Sequence, residues 1–379
     1  MAEPGTTDDN LPQRVESVLL GYFESRRKDA GRIESDFDSD FGAVDADLTG
    51  DFDAALDTLA DFVLSGGKRL RPTFAWWGWR GAGGTPDSAE ADAVLHAISA
   101  LELVQACALM HDDLIDESAV RRGAPTVHVA FADRHRAQRL HGGPDRFGLA
   151  VAVLLGDLAL AWADDMFAGA GLPADALARA LPAWQAMRSE MLMGQYIDVL
   201  TQVRGDESPD AALRVSRFKT AAYTVERPLH IGAALAGADA GLIAAYRSYG
   251  ANIGIAFQLR DDLLGVFGDP LVTGKPAGDD LRDGKRTMLM ALGIQHARQR
   301  GQPADAELLR SCLGRADLGP ADLDAVRALL VDLGAVAAVE HRIETLTEAG
   351  IGALETAPMP VSVAGRLADL AIAATRRDR

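Results

Sequence analysis

Two aspartate doublets sit inside stretches that otherwise read as buried helix, and they restrict this chain more than any other feature. The first lies in HDDLID (Asp112, Asp113, Asp116), directly after the largely apolar run Ala97 to Met110. The second lies in FQLRDDLLGVFGD (Asp261, Asp262), after Ile253 to Leu259. A carboxylate taken out of water is costly unless it is paired or holds a metal, so two such clusters call for cations. Asp112 and Asp116 are four residues apart and share one helical face. No Cys or His cluster accompanies them, and hard oxygen donors suit Mg²⁺, which binds through a few carboxylates plus substrate phosphates. The pattern implies a site that grips a diphosphate between two acidic walls. Its candidate metal ligands are Asp112, Asp113, Asp116, Asp261 and Asp262.

The rest of the chain has the period of helix. Apolar residues recur at helical spacing in Val15 to Arg27, Phe52 to Leu64, Ala91 to Asp116, Gly148 to Phe167, Ala176 to Leu200 and Ala212 to Tyr223. The same holds for Ile231 to Ala236, Leu242 to Phe267, Leu289 to Arg300, Ala321 to Leu333, Ala335 to Gly350 and Val361 to Arg376. Alternating β-branched runs, the signature of strands, are almost absent. The expected fold class is all-α. Residues 1–10 are expected to be disordered and 11–379 to form one helical domain, because no linker divides them. The long polar stretch Gly268 to Gly284, with Lys275, Asp279 and Asp280 in it and Lys285 just beyond, reads as a lid.

Charge and composition exclude several classes. A net charge of −17 argues against nucleic acid as a partner. It also means that an anionic substrate needs local help from metal, Arg and Lys. The two cysteines, Cys107 and Cys312, suggest no disulfide framework or zinc site. The polar N-terminus has no signal-peptide pattern, so a cytoplasmic location is expected. No run approaches about 18 consecutive apolar residues, so no transmembrane segment is expected.

Basic residues stand where a polyphosphate would need them. GGKRLRP (Gly66 to Pro72) puts Lys68, Arg69 and Arg71 just after a glycine pair. Glycine permits close backbone approach, and arginine binds phosphate oxygens in bidentate fashion. Arg121 and Arg122 follow the first aspartate cluster at once, while KTAAYT and TGKPAGDD add Lys219 and Lys275.

Together with LELVQACALMHDDLIDESAVRRGAPTVH, LLGDLAL, GQYID and GKPAGDDLRDGKRT, these segments resemble the trans-isoprenyl (polyprenyl) diphosphate synthases over roughly residues 50 to 290. The resemblance implies helices around a deep central cavity, three Mg²⁺ ions per site and a homodimer. It also implies head-to-tail condensation of isopentenyl diphosphate with an allylic diphosphate. In that scheme Asp112 and Asp116 ligate two ions on the allylic diphosphate and Asp261 holds the third. Arg121, Lys219, Thr220, Gln258 and Lys275 contact or orient the same diphosphate. Gly67, Lys68, Arg71 and Arg122 hold isopentenyl diphosphate.

Two positions depart from the family. Gln105 stands where many members have a histidine that touches isopentenyl diphosphate; its amide still donates a hydrogen bond but carries no charge. Gly265 stands where the second motif usually has a third aspartate.

In the family, bulk at the cavity floor sets product length. Cys107 and Ala108 occupy the usual floor positions and are small, so the floor is expected deeper, at Val104 or Leu101, with geranylgeranyl diphosphate or a longer chain as product. The alternatives are a non-catalytic accessory subunit, which would tend to lack one aspartate motif, and a terpene cyclase or head-to-head synthase, which would usually lack GGKRLRP.

Overall fold

A computed structural model describes residues 8, 10–41, 46–86, 88–269 and 277–376. Lys275 lies outside the described residues, as does most of the stretch expected to be disordered. Asp8, within that stretch, accepts hydrogen bonds from Trp76 Nε1 (2.9 Å) and Arg80 Nη2 (3.3 Å).

The chain runs through α1 (Leu11–Phe41), α2 (Ala46–Leu64), α3 (Leu70–Gly81) and α4 (Ala89–Ile115), then a minimal hairpin of β1 (Val120–Arg121) and β2 (Ala124–Pro125). Next come α5 (Val127–Gln138), α6 (Pro144–Ala168), α7 (Ala174–Arg204) and α8 (Pro209–Val215). A π-helical segment (Ser216–Glu226) passes directly into α9 (Arg227–Leu235), followed by α10 (Ala240–Phe267). The C-terminal part holds α11 (Asp279–Arg282), α12 (Met288–Gln299), α13 (Pro303–Cys312), α14 (Pro320–Asp332), α15 (Ala335–Gly352) and α16 (Val361–Thr375). Several starts are set by local chemistry. The side chains of Ser208, Asp239 and Thr287 cap α8, α10 and α12 by accepting from backbone N–H groups one turn on.

Two apolar cores share one helix. The larger is built around α4, with α1, α2, α3, α6, α7 and α9 packed on it. The smaller joins α12 to α15. The N-terminal half of α10 (Leu242, Tyr246, Tyr249, Ile253) belongs to the first core and its C-terminal half (Ile255 to Val266) to the second. Burying apolar surface stabilises by about 25 cal/mol per Å², so α10 is fixed from both sides, and the second aspartate doublet sits at its buried end. Trp76, Trp77 and Trp79 pack into the larger core.

Four helices escaped the periodicity, namely α3, α5, α11 and α13. Helix α3 (LRPTFAWWGWRG) is buried from Arg71 to Trp79, so it has no polar face and no amphipathic period. Two helices, Ala89–Ile115 and Pro144–Ala168, are long and apolar enough to cross a membrane, although no uninterrupted apolar run suggested it. The first is a core helix, 72% buried over its most apolar window, whereas the second is only 33% buried.

Candidate active site

The C-terminal end of α4, the π segment and the buried end of α10 converge on one cavity of about 770 Å³. Helix α4 brings Asp112, and α10 brings Gln258, Asp261 and Asp262. The π segment brings Lys219, Thr220, Tyr223 and Thr224. A π-helix is wide and uncommon, and it occurs mostly at functional sites. Its fit depends on glycine in the neighbouring helices. A Cβ on Gly194 of α7 would come within 2.2 Å of the Lys219 backbone nitrogen, and one on Gly254 of α10 within 2.5 Å of Ala221 Cα. Both positions are lethal to the packing for any larger residue unless the backbone moves.

Charges in the cavity are closely matched. Lys219 Nζ donates to Asp112 Oδ1 at 2.8 Å and to Asp198 Oδ2 at 2.6 Å. Lys285 Nζ lies 3.0 Å from Asp116, 3.6 Å from Asp280 and 3.7 Å from Asp283. Burial alone would raise Asp112, but Lys219, Lys285 and Arg121 outweigh it and hold that carboxyl well below the usual range. Burial likewise opposes the charge on Lys219, and the carboxylates of Asp112 and Asp198 keep it strongly basic. Asp262 differs: burial pushes it up to about 7, although Gln258 Nε2 donates to its Oδ1 at 2.8 Å. Gln258 in turn accepts from the Thr220 hydroxyl at 2.6 Å, so one amide links the π segment to α10.

Asp113, expected among the metal ligands, is paired with Arg121. It is 2% exposed at the side chain, accepts from Arg121 Nε at 2.7 and 2.8 Å, and lies 2.6 Å from Nη2. Successive helical residues point about a quarter-turn apart, so Asp113 cannot share the face of Asp112 and Asp116. It aims Arg121 at the cavity, where Nη2 is 3.5 Å from Asp112.

The opposite part of the cavity is basic. Gly66 and Gly67 have φ of 92° and 117°, a backbone that favours glycine. Arg122 (φ 52°) donates from Nη1 to the Gly66 carbonyl at 3.2 Å. Arg71 stacks 4.2 Å from the Tyr223 ring centroid and donates to Thr224 Oγ1 at 3.1 Å. Lys68, Arg71, Gln105 and Arg122 all line the cavity. Arg69, counted with this basic group from the sequence, has another task. Its guanidinium is 4% exposed and donates to Glu102 Oε2 (2.7 Å) and to the carbonyls of Val63 (2.7 Å) and Leu64 (3.2 Å). It ties the glycine loop to α4 at the edge of the cavity.

Cys107, Ala108, Met191 and Leu192 form apolar wall. Val104 does not line the cavity: it is fully buried in the larger core, as is Leu101. On α4 the cavity is lined by Cys107 and Ala108 but not by the residues one and two turns deeper, and α7 adds Met191 and Leu192 to the same lining.

The donor set fits Mg²⁺ with a diphosphate. Among the described residues no three carboxylates converge tightly enough to chelate an ion alone. Arg71 Nε, Gln195 Nε2 and Arg286 Nε belong to residues lining the same space and are buried donors with no hydrogen-bond partner among the described residues, and unsatisfied buried donors of this kind mark a place for a ligand.

Residues 53–330 match the family model of the polyprenyl synthetases. The chain belongs to the polyprenyl synthetase family. It is accordingly a trans-prenyl diphosphate synthase. The polyprenyl synthetase is 34% identical over 299 residues to a geranylfarnesyl diphosphate synthase from Aeropyrum pernix, covering 78% of this chain and 85% of that one. It is 32% identical over 294 residues to a geranylgeranyl diphosphate synthase from Mycobacterium tuberculosis, covering 77% and 76%. Among solved structures it resembles the geranylgeranyl pyrophosphate synthase of Corynebacterium glutamicum, complexed with isoprenyl diphosphate and magnesium. That similarity has TM-score 0.89 and 45% identity over 98% of this chain and 99% of the other.

Sequence reasoning missed two parts of this synthetase's site. Lys285 was seen only as lying beyond the lid stretch, yet it pairs with Asp116. Asp198 in GQYID was left without a role, yet it shares Lys219 with Asp112. Both pairings join residues far apart in the chain, and a single sequence carries no signal for them.

Proposed function

We propose that the enzyme condenses isopentenyl diphosphate head-to-tail with an allylic diphosphate (dimethylallyl, geranyl or farnesyl) to give geranylgeranyl diphosphate or a longer all-trans polyprenyl diphosphate. The observation that carries this reading is a single cavity with an acidic, lysine-bridged end and a separate arginine-lysine end, joined by an apolar wall. Two diphosphates of different roles need such a division.

Asp112, Asp116 and Asp261 would hold Mg²⁺, three ions per site, and bound Mg²⁺ would stabilise the charge that develops on the leaving diphosphate. Lys219, Thr220, Gln258, Arg121 and Lys275 orient the allylic diphosphate, with Lys219 released from Asp112 as that charge is met. Asp262, buried behind Gln258, sets the position of that amide. Gly67, Lys68, Arg71, Gln105 and Arg122 hold isopentenyl diphosphate so that its double bond faces the allylic carbon at short range. Cys107, Ala108 and Leu192 exclude water, which favours capture of the allylic cation by the alkene.

We also propose that a second copy of the chain covers α6. Leu149 and Leu154 on that helix are 48% and 66% exposed, and Ile115 at the end of α4 is 47% exposed. Apolar surface of this extent on a soluble enzyme marks an interaction face, and a two-fold homodimer is the commonest way to cover it. Isopentenyl and dimethylallyl diphosphates are small, water-soluble anions, and the proposed location is the cytoplasm.

The test is product identity. Purified enzyme is incubated with Mg²⁺, isopentenyl diphosphate and each allylic primer separately, and products are read by mass spectrometry. Chain elongation that stops on adding EDTA supports the reading. No elongation from any of the three primers refutes it.

A further inference from the structure

The π segment Ser216–Glu226 carries an ion pair between its second residue and its last: Arg217 Nη2 meets Glu226 Oε2. The two residues are nine positions apart in the chain. In an α-helix nine residues make about two and a half turns, which puts their side chains on opposite faces and about 13 Å apart along the axis. In the i→i+5 register of a π-helix a turn takes about 4.4 residues, so nine residues make about two full turns and the two side chains fall on one face. The pair is compatible with the wide register and not with the ordinary one.

The surroundings hold this pair in place. The Glu226 side chain is 1% exposed, against 26% for Arg217 and 45% for Arg247. Arg247 Nε, on α10, donates to Glu226 Oε1 at 3.0 Å. One turn further along α10, a Cβ on Gly250 would lie 2.3 Å from Glu226 Cα, so glycine there lets the end of the segment seat against the helix. The next residue, Arg227, donates from Nε to Glu190 Oε2 of α7 at 2.8 Å. Pro228 has no N–H to give, so the hydrogen-bond ladder is interrupted just past Glu226. A buried carboxylate is costly without its cations, which ties Glu226 to both arginines and resists rotation of the segment. Neither Arg217 nor Glu226 lines the cavity.

We infer that Arg217 and Glu226 are positioning residues for the reaction: their ion pair fixes the wide register and so sets Lys219 and Thr220 toward the diphosphate end of the cavity. The same turn of the segment carries Lys219, which meets Asp112 and Asp198 at 2.8 and 2.6 Å, and Thr220, which donates to Gln258 at 2.6 Å. The inference rests on the proposed reading of Lys219 and Thr220 as groups that orient the allylic diphosphate.

The experiment uses the full chain. Calorimetry measures binding of inorganic pyrophosphate with Mg²⁺, turnover is measured with isopentenyl and dimethylallyl diphosphates, and hydrogen exchange and melting temperature are read alongside. Arg217→Gln is expected to weaken pyrophosphate binding and lower kcat, each about ten- to a hundred-fold, as a displacement of about 1 Å in the binding groups does. Its melting temperature should stay close to wild type, because the lost guanidinium is partly exposed, while exchange across residues 216–226 should rise. Arg217→Lys restores the charge and is expected to regain most of the binding and turnover. Glu226→Gln is expected to lose both as Arg217→Gln does, with a lower melting temperature because two arginines lose their anion. Wild-type binding and turnover in Arg217→Gln, or an Arg217→Lys variant as impaired as Arg217→Gln, overturns the inference and leaves the proposed reaction standing. Wild-type enzyme that binds no pyrophosphate with Mg²⁺ overturns the reading on which the inference rests.

Discussion

Replacing Asp262 by asparagine should make the metal-free enzyme more stable, by an amount that grows as pH rises from about 4 to about 7. The side chain is 4% exposed, and burial raises its carboxyl from the ordinary 3.8 to about 7. Folding thus favours the neutral acid. The stability that this preference contributes is fully present below pH 3.8 and is lost as pH rises to about 7, above which it stays lost. At about 1.4 kcal/mol per pH unit, the loss is roughly 4 kcal/mol. Asparagine keeps an acceptor for Gln258 Nε2, which sits 2.8 Å from Oδ1, and never ionises. Urea unfolding in EDTA should therefore give closely similar stabilities for the two proteins near pH 4 and a more stable variant at pH 8. With Mg²⁺ and pyrophosphate present, the wild type should recover, because cations then compensate the buried charge. A stability difference that is the same at pH 4 and pH 8 would refute the reasoning.

Three further outcomes follow from the geometry. Ala108→Phe places a ring at the floor formed with Cys107 and should shift the main product to a shorter chain by mass spectrometry; an unchanged profile would remove this position from length control. Glu102→Ala strands the buried Arg69 guanidinium and should cost about 3–5 kcal/mol in unfolding free energy, with a rise in KM for isopentenyl diphosphate that exceeds any change for the allylic substrate. Leu154→Glu, on the exposed face of α6, should turn a dimer into a monomer in sedimentation velocity, and a wild type that sediments as a monomer would contradict the proposed assembly.

Much of the site could be read before any coordinates, because its chemistry is carried by rare combinations. Carboxylate doublets in apolar helices and a glycine pair followed by three cations have few bland explanations, and the structure brings Asp112, Asp261, Lys219, Lys68 and Arg71 to one cavity. Long helices such as α4 and α10 were legible because their apolar residues repeat at helical period. What stayed hidden depends on contacts between distant segments. The orientation of Asp113 is set by Arg121, the task of Arg69 by Glu102, and part of the apolar cavity wall by Met191 and Leu192 from α7. Helix α3 was hidden for the opposite reason: burial on every side erases the polar stripe on which periodicity depends. The run Ala212 to Tyr223 was legible as helix but not as a wider one, since the π register follows from the glycines of α7 and α10 that make room for it.

That wide segment has a consequence for anyone who alters this enzyme. Ordinary α-helix is the more favourable form for most sequences, so the Ser216–Glu226 run is a standing invitation to shorten by one residue and tighten. A variant that accepted the invitation would rotate Lys219 against Asp112 and would unfasten Thr220 from Gln258. Selection for heat resistance alone would thus be drawn toward a sturdier protein with its phosphate grip out of alignment, and a screen on this scaffold has to score turnover and melting together.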